Sequence, residues 1–225
     1  MRFYEDAKSF MSGLQVATAK IKQQNAASVQ LLSIGCSNAN DCALLSDILQ
    51  TCRKCLPQLH PFLRVIPHRS IINLFFQGNM DILLGFQEDV HARDDIVYKE
   101  LFELPICCAI SDKHPYAQKE LLAEEELYSE NIVLCNSYPV SSKALSMQKR
   151  LEQHFPLNRV YYCDNPNAQI TLVTAGYGFA ILPQAFTGTA QIRYVPLKNA
   201  EIVSYGFFYK NNSANPLLKK FVSMV

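Results

Sequence analysis

The chain has 225 residues, enough for one large domain or two small lobes with real cores. Its 49% hydrophobic and 18% charged content is that of a folded globular protein. A net charge of +1 excludes a chain-wide basic field for holding nucleic acid, and no apolar run reaches membrane-spanning length.

Residues 1–28 form the first unit. Phe3, Ala7, Phe10, Leu14, Ala17 and Ile21 alternate at spacings of four and three, which is a heptad seam on a helix. Such a seam serves either as the inner face of an ordinary packed helix or as a helix–helix dimer contact. Its narrowness, and its place before the first strand, favour the dimer contact. The N-terminus carries acids early, with no apolar segment of secretory type, so a cytoplasmic chain with reduced thiols is expected.

From residue 29 strands and helices alternate. The pattern predicts a strand over 29–35, a helix over 41–56, and a strand over 63–67. Ser70 is then expected to cap a helix that Gly78 closes, and a strand follows over 81–85. This βαβαβ rhythm implies parallel strands with right-handed crossovers. A long strand region over 96–110 leads into His114-Pro115-Tyr116-Ala117. A second series follows: strand 131–136, helix 141–154, strand 159–164, helix 167–175. In Thr174-Ala175-Gly176-Tyr177-Gly178-Phe179-Ala180-Ile181-Leu182-Pro183, Gly176 is placed to end that helix in the left-handed conformation. Gly178 allows close backbone approach, and Phe179–Leu182 reads as a buried strand. Strands over 192–197 and 202–209 and a helix from Pro216 complete the chain.

The eight cysteines sit mostly within apolar runs, as small buried hydrophobes do. Cys52-Arg53-Lys54-Cys55 has CxxC spacing, but it lies inside a predicted helix and no second CxxC completes a zinc set. No metal or cofactor is expected. Cys135 and Cys163 fall on neighbouring predicted strands. The five histidines are scattered, with no HExxH and no GxSxG elbow, so no catalytic residues and no enzyme are expected.

Three local features carry a family resemblance: the helix–Gly176-x-Gly178–strand block, Phe3-Tyr4-Glu5-Asp6-Ala7-Lys8 in the leading helix, and His114-Pro115-Tyr116-Ala117 after the long strand. Together they resemble the effector-binding part of LysR-type transcriptional regulators. The resemblance implies an α/β fold of two Rossmann-like lobes joined by two crossing strands, of the type 2 periplasmic-binding-protein-like kind. A linker helix would occupy 1–28, lobe I 29–111 and 204–225, and lobe II 112–203. It also implies a homodimer or homotetramer, a small-molecule effector held between the lobes, and DNA contact through a winged helix-turn-helix domain absent from this chain. No membrane is implied.

In open α/β sheets ligands bind beyond the carboxyl ends of strands, against helix N-termini with their unpaired N–H groups. Four such ends are legible: Ser37, Asn38 and Asn40; Arg69 and Ser70; Ser137, Val140 and Ser141; Asn165 and Asn167. Taken singly, Ser37, Ser70, Ser141 and Asn167 are also what plain helix caps look like. The resemblance places effector contacts at Ser37, Asn38, Ser70, Ser137, Val140 and Asn165, with Ile110 and Ser111 on the hinge strand and Phe179 as an apolar wall. Arg69 either pairs with an anionic ligand or is solvated. A small anionic or polar metabolite is the expected effector. Two alternatives share parts of this reading: a transport-type solute-binding protein, and a thiol-based redox-sensing regulator.

Overall fold

A computed structural model describes residues 30–37, 39–91, 93–135, 141–184, 191–213 and 215–225, apart from the side chains of Ala39, Asn40 and Arg69. The heptad seam from Phe3 to Ile21 lies outside these residues. The described chain divides into two units: 30–85, 93–99 and 207–225 form unit 1, and 86–91 with 100–206 form unit 2. The division falls inside the long strands, after Lys99 and after Gly206.

In unit 1, β1 (Gln30–Cys36) lies between two parallel neighbours, β2 (Leu59–Val65) and β3 (Ile82–Phe86), with β9 (Ile202–Lys210) next to β3. Leu32 to Cys36 are buried on both faces of β1, as expected of a parallel strand covered by helices on each side. α1 (Ala39–Cys55) and α2 (His68–Phe76) make the crossovers. Gly35 is a packing requirement. A Cβ there would stand 2.5 Å from Met80 Sδ and 2.8 Å from Ile71 Cδ1.

β2 begins at Leu59, earlier than the sequence suggests, because Pro61 sits in an edge strand where a missing N–H is tolerated. α2 also begins earlier, after Pro67, and Ser70 lies in its first turn instead of capping it. Gly78, at φ 78°, closes α2 as expected. Asp81 locks the start of β3 to β1: its carboxylate accepts from Ser33 N and Ser33 Oγ, both at 2.8 Å. α6 (Pro216–Ser223) adds Phe221 against Phe207, with ring centroids 5.7 Å apart, and both rings are fully buried.

In unit 2, β4 (Ile96–Ser111) pairs antiparallel with β7 (Ala180–Pro183) and β8 (Ile192–Pro196). β5 (Ile132–Cys135) and β6 (Val160–Cys163) form a separate parallel pair. The crossover helices are α4 (Ser142–Glu152) and α5 (Pro166–Thr174), and a short α3 (Glu124–Leu127) precedes β5. Glu126 of α3 takes the Ala123 N–H at 2.8 Å and pairs with Lys119. The acidic run Glu124–Glu126 is thus a helix start, where carboxylates meet unpaired N–H groups.

Gly178-Phe179 ties β7 to β5. Phe179 N donates to Asn131 O at 2.9 Å, and Val133 N donates to Phe179 O at 2.8 Å. Beyond this point two fully buried glutamines replace the ladder. Gln148 accepts from Cys135 N at 3.5 Å and donates to Ile181 O at 2.9 Å. Gln169 donates to Val133 O at 2.8 Å. β4 and β9 run through both units.

Candidate functional site

The strand ends singled out by the sequence are best taken unit by unit. In unit 1 β1 ends at Cys36, and Ser37 follows, half-buried. Ser37 N and Oγ both donate to Asp41 Oδ2, at 2.6 and 3.0 Å. Asp41 is in the first turn of α1 and is itself buried. The Ser37 hydroxyl and amide are therefore already engaged in holding the start of α1. Burial, then the nearby Asp41, pushes the Cys36 thiol far above the ordinary range. Asn38 and the side chains of Asn40 and Arg69 lie outside the described residues. Arg64, one residue before the end of β2, is buried, and it donates to Asn79 O at 3.5 Å. Burial lowers its guanidinium from the usual value. Because Asn79 precedes β3, this arginine reaches away from the carboxyl end of the sheet.

In unit 2 the end of β5 is followed by residues 136–140, so Ser137 and Val140 also lie outside the described residues. Ser141 is fully buried and is the expected cap of α4, accepting from Ala144 N at 3.4 Å. Its hydroxyl meanwhile donates to Glu88 Oε1 at 2.6 Å. Ser142 Oγ and Lys143 N reach the same oxygen, at 3.1 and 3.3 Å. A carboxylate from the short segment after β3 thus sits on the N-terminus of α4, where the helix dipole favours negative charge. Sequence reasoning missed Glu88 because no local pattern links it to a helix more than 50 residues later.

At the end of β6, Asn165 rather than Asn167 caps α5: its Oδ1 accepts from Ala168 N at 2.9 Å, and Pro166 takes the first helical position. Asn165 is exposed, as is Asn167, the second residue of the helix. Beside them Cys163 is partly open and lines a shallow surface depression of about 670 Å³ with Tyr162, Asp164, Ala168, Thr171 and Leu172. Its thiol donates to Leu134 O at 3.4 Å.

Three expected contacts belong to the core of unit 2. Phe179 is fully buried, with its ring 5.9 Å from that of Phe155, so it packs the interior of unit 2. Ile110 and Ser111 are 2% and 7% exposed in β4, and Ser111 Oγ accepts from Lys113 N at 3.4 Å. Ile110 and Ser111 pair with Arg193 and Ile192 of β8, beyond the last β7 partner at Ala109.

Comparison with known proteins bears on this architecture. The sequence profile of the LysR substrate binding domain matches residues 26–225. Over 227 aligned residues the chain is 24% identical to the uncharacterized HTH-type transcriptional regulator YnfL of Escherichia coli, a match covering 98% of this chain and 75% of that protein. It is 27% identical over 108 residues to the HTH-type transcriptional regulator MetR of Salmonella typhimurium, covering 48% of this chain and 32% of the other. Among solved structures, CbnR, a LysR family transcriptional regulator, superposes with a TM-score of 0.74 at 14% identity, over 99% of this chain and 78% of that one. The effector binding domain of a BenM variant does so at 0.68 and 18% identity, over 87% and 92%. The fold is accordingly that of LysR effector-binding domains, of the type 2 periplasmic-binding-protein-like kind.

Proposed function

This chain belongs to the LysR substrate binding domain family, and on that premise we propose that it is the effector-sensing part of a cytoplasmic transcriptional regulator. The observation that carries the reading is the doubled αβ plan. In each unit a parallel strand ends against a helix start dressed with small hydroxyl and amide side chains: Ser37 in one, Ser141 and Asn165 in the other. A small polar or anionic molecule is the effector we assign to these ends, together with Asn38, Arg69, Ser70 and Ser137. Binding tighter to one arrangement of the protein than to another shifts the population between them, and that shift is the signal.

The donors on Ser37 and Ser141 are held by Asp41 and Glu88, which adds a constraint. A ligand at these ends either brings donors of its own or displaces a carboxylate. The test is a thermal-shift screen against small carboxylates, amino acids, sugar phosphates and nucleosides. A ligand at 100-fold over its Kd is expected to add about 2.7 kcal/mol of stability. Ser37→Ala and Asn165→Ala are each expected to weaken the shift. A saturable shift that both variants leave intact would overturn this placement, and a flat panel would overturn the small-molecule reading.

We further propose that residues 1–28 join two copies through the seam of Phe3, Ala7, Phe10, Leu14, Ala17 and Ile21, and that DNA contact belongs to a winged domain outside this chain. Leu14→Glu is expected to lower the mass seen in sedimentation by placing a charge in an apolar seam. An unchanged mass would sink the seam as an interface.

A further inference from the structure

We propose that Cys135 and Cys163 form a two-point chelating site for a thiophilic ligand that joins two sulfurs through a single atom, such as a trivalent arsenical or a two-coordinate soft metal ion. The inference stands apart from the effector reading and concerns unit 2 alone. Cys135 and Cys163 end β5 and β6 and are Cα partners in their parallel register. Neighbouring strands lie about 4.8 Å apart, and in-register residues point to the same face. The two thiols accordingly lie close enough for Cys135 to act on the ionisation of Cys163. Cys135 is 1% exposed, whereas Cys163 opens onto the depression lined by Tyr162 and Asp164. A reagent therefore has one sulfur to meet first and a second waiting behind it.

The chemistry narrows the ligand. Among the described residues no group of three histidine, cysteine or acidic side chains could hold a metal, which excludes a tetrahedral zinc site there. Burial, followed by the neighbouring Cys135, pushes the Cys163 thiol up to about 12, so it is protonated at neutral pH. Attack on a hydroperoxide needs the thiolate, so oxidation is the slow route. A trivalent arsenical bearing two hydroxyls needs no thiolate. Two As–S bonds form and two As–O bonds break, and each thiol proton leaves with a hydroxyl as water. Arsenic stays trivalent, and the product is neutral, as a mostly buried site requires. A soft divalent ion does the same with release of two protons.

The test uses the reduced 225-residue chain, freed of reductant and treated with phenylarsine oxide, then read by intact mass and peptide mapping. One arsenic bridging the Cys135 and Cys163 peptides is expected, retained against a large excess of glutathione and removed by a dithiol. Cys163→Ser, with its melting checked, is expected to carry one equivalent fewer, both of the arsenical and of mercuric ion. Should that variant fail to fold, alkylation after denaturation decides on the parent chain: both cysteines protected supports the site. Equal loading of parent and variant, stripping by glutathione, or alkylation of both cysteines in the arsenical-treated chain would overturn it.

Discussion

Phe179→Ala is expected to cost about 3–5 kcal/mol of stability, the range for removing a fully buried aromatic ring. The ring is wholly enclosed, packs against Phe155 at 5.9 Å, and sits where β7 is tied to β5 through the amide and carbonyl of the same residue. Truncation would leave a cavity in the middle of unit 2, because a backbone held on both sides cannot collapse into the gap. Urea unfolding measures this directly. A loss below about 1 kcal/mol, far under the range for such cavities, would mean that the ring is not a core element. In that case its place as an apolar wall for a ligand would return.

Gly178→Ala is also expected to be damaging, for the opposite reason. A Cβ at this position would lie 2.3 Å from Asn131 O and 2.7 Å from Asn131 C. Both are backbone atoms, and Asn131 O is already the acceptor for Phe179 N. Relief requires β5 and β7 to move apart, which removes the bonds that tie them; overpacking of this kind costs about 1–3 kcal/mol or more. Gly176 provides an internal control. Its φ of 80° favours glycine, but nothing lies within 4 Å of a Cβ there. Its alanine variant should lose only the left-handed backbone term, about 1–2 kcal/mol. Denaturation midpoints of the two variants separate clash from strain, and a Gly178→Ala loss well under about 1 kcal/mol would contradict the close approach at Gly178.

The two glycines also show what the sequence could and could not reveal. Gly176 ends α5 with Tyr177 N donating to Leu172 O and Gly176 N to Val173 O, a helix-closing pattern legible from the motif alone. The alternation of strands and helices was equally readable, because burial on both faces of β1 and β5 writes itself as continuous apolar runs. Element edges were harder. β2 begins four residues before the expected strand, with Pro61 tolerated at the sheet edge, and Pro67 opens α2 before the serine expected to cap it. The strand ends were found as places, since Ser37, Ser141 and Asn165 all stand at helix starts. Their partners were not. Asp41 is near Ser37 in sequence, but Glu88 reaches Ser141 from across the chain, and no periodicity encodes such a contact. Phe179 misled because a strand following a glycine reads the same whether its first side chain faces a ligand or the interior.

The discontinuity of unit 1 has a consequence for how the protein is made. β9 from Phe207 onward and all of α6 belong to unit 1, although β1, α1, β2, α2 and β3 precede them by more than a hundred residues. As the ribosome extends the chain, residues 100–206 emerge whole and in sequence, so unit 2 has its strands and both its buried glutamines before unit 1 has its last strand. Until Phe207 and Phe221 arrive, β3 lacks its neighbour in the sheet and the nascent unit 1 exposes a strand edge and apolar surface. Synthesis order therefore predicts that unit 2 can complete its fold before unit 1 does, since unit 1 needs residues 207–225.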